Sequence, residues 1–187
     1  VINPFGATYP ESSFQDFPIY HRLLEYVQSG GLFVNVADIP TYYAFNADLK
    51  RSIDRTPAVY TGTGDAVRFF ARVPLMEELG VRITNCEALG PPTVSPTVEA
   101  AYRSCGPVPQ SLVITRAAIA EGNVEPVISP RRMGQETATP LFFCQYGNGR
   151  VLCSLTFLSN NYPTNAAIVP FLADLVIHAI ASDRTGA

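Results

Sequence analysis

The stretch from Tyr20 to Tyr43, YHRLLEYVQSGGLFVNVADIPTYY, runs an amphipathic helix, a glycine stop, an apolar strand and a sharp loop together without a gap. From about Phe17 to Ser29, Ile19, Leu23, Leu24 and Val27 recur at helical spacing, with Arg22, Glu25 and Gln28 on the opposite face. Gly30-Gly31 supplies the left-handed residue on which helices commonly end. Leu32 to Val36 is apolar but for Asn35, the near-continuous pattern of a strand covered on both faces. A helix returning into a doubly covered strand confines the chain to layered α/β architectures. Just beyond such a strand an α/β enzyme presents its nucleophile, and here Val36, Ala37 and Asp38 occupy that place. With no Cys, Ser or His at that corner, the stretch specifies a fold and not a reaction.

A chain of 187 residues, 47% of them apolar, can bury one sizeable core, so a single domain over 1–187 is expected. A net charge of −3 and 13 basic residues scattered without a run leave nothing to neutralise a phosphate backbone, and nucleic acid is not expected as a partner. The most apolar segment, Ala166 to Ala181, is interrupted by Pro170, Asp174 and His178 and falls short of the roughly 20 residues of a membrane span. It reads as a core helix. Val1-Ile2-Asn3 ahead of Pro4-Phe5-Gly6 reads as the end of a strand. Strands are seldom so short, so the domain is expected to be the C-terminal part of a larger domain or protein, its N-terminal βα portion supplied by a longer precursor or a companion chain, or lost by processing.

Further along, Ala44 to Gly64 is polar and loop-like, and Thr63 or Asp65 is placed to cap a helix from Ala66 to Leu79 that Pro74 must kink or split. Val81 to Thr84, Leu112 to Ala117 and Val124 to Ser129 are expected strands, the last two separated by the turn residues Glu121-Gly122-Asn123. Leu141 to Tyr146 and Arg150 to Phe157 flank Gly147-Asn148-Gly149 as a hairpin, and Asn165 to Ser182 closes the chain as a helix. The alternation predicts a three-layer, mostly parallel α/β sheet with a late antiparallel hairpin.

Three segments carry a resemblance: VINPFG, YVQSGGLFVNV, and PLFFCQYGNGRVLCSLTFL followed by a helix. In these the chain resembles the class I glutamine amidotransferase-like superfamily, in the branch of sugar-utilisation proteins and accessory domains of β-galactosidase-type enzymes. The resemblance implies a flavodoxin-like fold. Catalytic members carry a cysteine in a Gly-x-Cys-x-Gly elbow and a late His and Glu. Here no Cys follows the second strand and there is no His-x-Glu pair, so the resemblance implies the fold without the amidotransferase chemistry.

Only His21 and His178 could act as bases near neutral pH, and neither has a Cys, Ser or Asp at a diagnostic spacing. The four cysteines form no C-x-x-C pair, and TGTGD lacks the third glycine and the lysine of a phosphate loop, so neither metal nor cofactor is expected. If Asn148-Gly149 centres the hairpin turn, Cys144 faces Cys153 in a non-hydrogen-bonded pair, which admits either a cross-strand disulfide or two buried thiols. Bonded cysteines would place the protein outside the cytosol and reduced ones within it.

In an open α/β sheet ligands lie beyond the carboxyl ends of the strands. The loops Asn3 to Glu11 and Ala37 to Tyr43 leave those ends and offer Asn3, Tyr9, Glu11, Asp38, Tyr42 and Tyr43. Hydrogen-bonding groups beside flat aromatic faces suit a polar ring such as a sugar. The same residue types also serve turns and sheet packing. Three functions fit: a non-catalytic module that binds carbohydrate or mediates assembly in a larger carbohydrate-active protein, a hydrolase or transferase using Glu11 and Asp38, or a small-molecule sensor.

Overall fold

The computed structural model of the chain describes residues 1–55, 59–61, 68–71, 74–87, 93–94, 117–129, 139–155 and 169–185. Helix α1, Pro18–Gln28, starts with proline in its first turn, where the missing N–H costs nothing. It ends as its spacing predicts: the amides of Ser29, Gly30 and Gly31 bond back to Glu25, Val27 and Tyr26, with Gly30 at φ +117°. Strand β3, Leu32–Asn35, follows at once and is buried at every position.

Around β3 a six-stranded sheet assembles in the order β1 (Ile2–Asn3), β3, β13 (Gly149–Ser154), β12 (Leu141–Tyr146), β11 (Glu125–Ser129), β9 (Thr93–Val94). β3 is parallel to both β1 and β13, and the remaining pairings are antiparallel. The sheet is therefore mixed, where a mostly parallel one was expected. The late hairpin lies against β3 itself and supplies the partner that a further βα unit would supply in a parallel sheet.

Side chains on the two faces of this sheet enter separate cores. Leu32, Val34, Leu141, Phe143 and Leu152 pack with Phe171, Leu172, Leu175 and Ala179 of α3, Val169–Thr185. Phe33, Phe142, Cys144, Val151 and Cys153 face the other way, toward Tyr20 and Val27 of α1 and Leu75 and Met76 of α2, Pro74–Glu78. A bulge between Pro126 and Ile128 turns both Val127 and Ile128 into the α3 core.

A four-stranded antiparallel sheet runs β10 (Ala117–Gly122), β8 (Val81–Glu87), β7 (Arg68–Ala71), β6 (Val59–Thr61). Buried Thr139 joins it to the first sheet by exchanging backbone hydrogen bonds with Ala120, while its hydroxyl lies 2.6 Å from the Ile128 carbonyl. A three-stranded sheet, β2 (Thr8–Pro10), β4 (Tyr43–Asn46), β5 (Arg51–Asp54), completes the described strands. No described helix is long and apolar enough to cross a membrane.

Two expected segments differ. The polar run from Ala44 forms the β4–β5 hairpin and β6, and the expected helix 66–79 is strand β7 followed by the short α2 that begins at Pro74. Proline opens a helix readily and cannot sit inside one, so the helical pattern holds only from Pro74 onward. The strand expected at 112–117 lies outside the described residues except for Ala117, which opens β10. Thr63 and Asp65, the expected caps, and Cys105 also lie outside them.

The hairpin register is the third correction. Tyr146 pairs with Gly149, so the two loop residues are Gly147 and Asn148, and Gly147 at φ +58° supplies the positive φ that a two-residue loop of the II′ type needs at its first position. Cys144 then faces Val151 and Cys153 faces Phe142. The two cysteines are diagonal neighbours on one face, roughly 7–8 Å apart between Cα atoms, beyond the reach of a disulfide, and both are free, buried thiols. Burial pushes the Cys144 thiol up to about 11, and burial together with the neighbouring Cys144 raises Cys153 as well.

Two outcomes follow from this packing. A Cβ at Gly149 would overlap the carbonyls of Val27 and Gly31, both backbone atoms that cannot step aside. Gly149→Ala is expected to cost about 2 kcal/mol or more in urea unfolding. At neutral pH a thiol titrating near 11 carries roughly a hundredfold less thiolate than an ordinary cysteine. Peptide-resolved iodoacetamide labelling should modify Cys144 and Cys153 at least about a hundredfold more slowly in the folded chain than in denaturant.

Candidate functional site

The loops that leave β1 and β3 are tied together by two buried amides. Asn3 Nδ2 donates to Asn35 Oδ1 at 2.8 Å and to the Gly6 carbonyl at 2.9 Å, while Asn3 Oδ1 accepts the Phe5 amide. Asn35 Nδ2 in turn donates to the carbonyls of Ala37 and Asp38. Asp38 sits at φ +60°, and its Oδ1 accepts the Ile39 amide at 2.8 Å, an arrangement that fixes its own turn. Gly6, at φ +66°, approaches Ala37 and Asp38 so closely that a Cβ would lie 3.2 Å from the Ala37 carbonyl oxygen. Asn3 and Asp38 therefore hold backbone.

The two loops then run side by side into β2 and β4, which pair in parallel with Thr8 beside Tyr43, Tyr9 beside Ala44 and Pro10 beside Phe45. Strand alternation sorts the aromatics onto two faces. Tyr9 and Ala44 turn into the core shared with α1, whereas Tyr43 is 40% exposed and Phe45 39% exposed on the outer face with Ser52 and Asp54 of β5. The Tyr42 ring, buried, meets the Tyr43 ring edge-on at 4.7 Å between centroids.

At one end of this sheet a cavity of about 720 Å³ opens between β2, the start of α1 and the β4–β5 turn. Phe5, 70% exposed, Phe45, Ile19 and Pro10 give it flat apolar walls, and Thr8, Ser12, Asn46 and Asp48 contribute polar atoms. Asn46 is committed to the turn: its amide donates to the Ser12 carbonyl and its Oδ1 accepts the Leu49 amide.

Glu11 also lines the cavity, but its carboxylate has a structural task. Oε1 accepts the amides of Ser12 and Ile19, and Oε2 accepts that of Tyr20, so a side chain from upstream satisfies the first orphan N–H groups of α1. The residue in the capping position, Phe17, makes no side-chain cap bond and adopts φ +45°. Glu11 supplies what Phe17 cannot, and places negative charge at the positive end of the helix.

Of the six residues expected at the site, the cavity includes Tyr9 and Glu11. Asn3 and Asp38 brace the adjoining loops, Tyr42 lies just before β4 and Tyr43 at its start, away from the cavity. Sequence reasoning passed over Phe5, Phe45 and Asp48, although the alternation Tyr43-x-Phe45 ahead of Asn46-Ala47-Asp48 carries a strand-and-turn signal. His21 is exposed and sets its ring edge against Tyr20, 5.6 Å away. Among the described residues no cluster of His, Cys, Asp and Glu is arranged to hold a metal ion. No protein-family model matches the chain, and no curated protein matches it either.

The capping role makes Glu11 a stability residue. Glu11→Ala strands the N–H groups of Ile19 and Tyr20 and is expected to lower unfolding stability by about 1–3 kcal/mol. Asp48→Ala, at an exposed turn, should change it by less than about 0.5 kcal/mol. Paired urea melts of the two variants measure the contrast.

Proposed function

We propose that this chain is a non-catalytic ligand-binding module of the class I glutamine amidotransferase-like, flavodoxin-like kind, and that it takes a neutral sugar-sized ring into the cavity between Phe5 and Phe45. The observation that carries the reading is the pair of exposed aromatic rings bordering a cavity of about 720 Å³ whose other walls offer Thr8, Ser12 and Asp48. An aromatic face covers the C–H surface of a sugar while hydroxyl and carboxylate groups at the edge take its OH groups. The volume lies within the range of small-molecule sites.

The carboxylate best placed for acid–base work, Glu11, already accepts three backbone N–H bonds, which favours binding over hydrolysis. Asp38, its intended partner in a carboxylate mechanism, spends Oδ1 on the Ile39 amide. The loop after β3 offers backbone carbonyls and Asp38 where an amidotransferase needs a thiolate.

Titration calorimetry with neutral mono- and disaccharides tests the proposal. Phe5→Ala and Phe45→Ala are each expected to weaken binding about tenfold, the worth of one aromatic contact, with little change in Tm because both rings are exposed. Absence of binding by any sugar, or binding indifferent to both substitutions, overturns the reading.

A further inference from the structure

Behind the β2–β4 sheet, Arg55 is enclosed by aromatic rings. Its guanidinium carbon lies 4.2 Å from the ring centres of Phe17 and Tyr20 and 5.7 Å from that of Tyr9, and the two tyrosine rings are 6.2 Å apart. Three buried polar atoms of this cluster, Tyr9 Oη, Tyr20 Oη and Arg55 Nη1, make no hydrogen bond of good geometry among the described residues, although the Arg55 guanidinium lies close enough to bear on the Tyr9 hydroxyl. Both tyrosines are only 3% exposed. Buried polar groups are almost always paired, and three orphans in one cluster mark a place where an acceptor belongs.

The charges around the cluster identify that acceptor. Glu11 bears on the Tyr9 hydroxyl, and Glu77 and Glu78 on that of Tyr20. The Glu11 carboxylate, however, is taken up by the amides of Ser12, Ile19 and Tyr20 at the start of α1, and Glu77 and Glu78 are exposed, where water screens them. The guanidinium is the charge left inside the aromatic enclosure, and a partly buried cation calls for an anion. Burial raises both tyrosines above their ordinary range, so at neutral pH both hydroxyls remain protonated and able to donate. Phe17 reaches its stacking position from a left-handed backbone conformation, a strain of the kind that collects at ligand sites.

We infer that Arg55, Tyr9 and Tyr20 form a second binding site, one that takes a small oxyanion group, carboxylate or phosphate, on converging N–H and O–H donors. Tyr9 borders both places, but neither Arg55 nor Tyr20 lines the cavity beside Phe5 and Phe45, so those two residues distinguish this site from the sugar reading.

The test is thermal unfolding and calorimetric titration of the full chain with inorganic phosphate and with acetate, each against chloride at matched ionic strength. A rise in Tm that saturates with phosphate or acetate is expected, and the anion that binds more tightly assigns the group. Tyr20→Phe should weaken that binding roughly tenfold while leaving anion-free Tm unchanged or higher, because it removes an orphaned hydroxyl. Arg55→Lys, which keeps the charge and loses the planar fork, should also weaken it. Phe45→Ala should leave it unaltered, which separates this site from the cavity. No anion-specific stabilisation, or one that Tyr20→Phe and Arg55→Lys both leave intact, overturns the inference.

Discussion

The contact on which the rest of the structure depends is the seat of the β12–β13 loop on the last turn of α1. The Asn148 amide donates to the Gln28 carbonyl at 3.0 Å and the Arg150 amide to the Gly31 carbonyl at 3.1 Å. Carbonyls that a helix end and its exit leave without intrahelical partners are thus satisfied by a hairpin. The approach is possible only because Gly147 and Gly149 carry no Cβ, since each would collide with backbone of residues 27 to 31. The seat also aligns β13 with β3, so that Val151 lies beside Phe33 and Leu152 beside Val34. Both cores inherit their registration from it.

The legible parts of the fold were those whose signal is local. The helical spacing of Ile19, Leu23, Leu24 and Val27, and Gly30-Gly31, mark α1 without help from elsewhere, and the apolar run of β3 needs only its own composition. The hairpin was legible in outline, but its register turned on which residue of Gly147-Asn148-Gly149 opens the turn, a choice made by the helix beneath it. That single position moved Cys144 and Cys153 from opposed to diagonal. In the runs misread, 44–64 and 66–79, strand signals such as Tyr43-x-Phe45 are short and mixed with turn residues or helical spacing. Their strands are held by long-range partners, β4 by β2 and β7 by β8, which no local pattern announces.

The candidate site divides along the same line. Asn3, Glu11 and Asp38 stood out because their chemistry is versatile, and the structure spends that chemistry on backbone amides and carbonyls. The groups left over are less conspicuous in the sequence. Phe5 and Phe45 become notable only when a parallel β2–β4 pairing brings them to one cavity, and Arg55 only when three rings close around it. Which polar atoms remain uncommitted is a property of the folded chain as a whole.

The parallel pairing of β3 with β13 has a consequence for how the chain comes to fold. The two strands, Leu32–Asn35 and Gly149–Ser154, are far apart in sequence, so during synthesis β3 emerges long before the hairpin that will flank it. Until then the apolar faces of Phe33 and Val34 and one row of β3 backbone groups have no cover from that side. Pairings of such long sequence separation form slowly because loop closure must precede any gain. Completion of the central sheet, and with it both cores, therefore waits on the late hairpin rather than on β3.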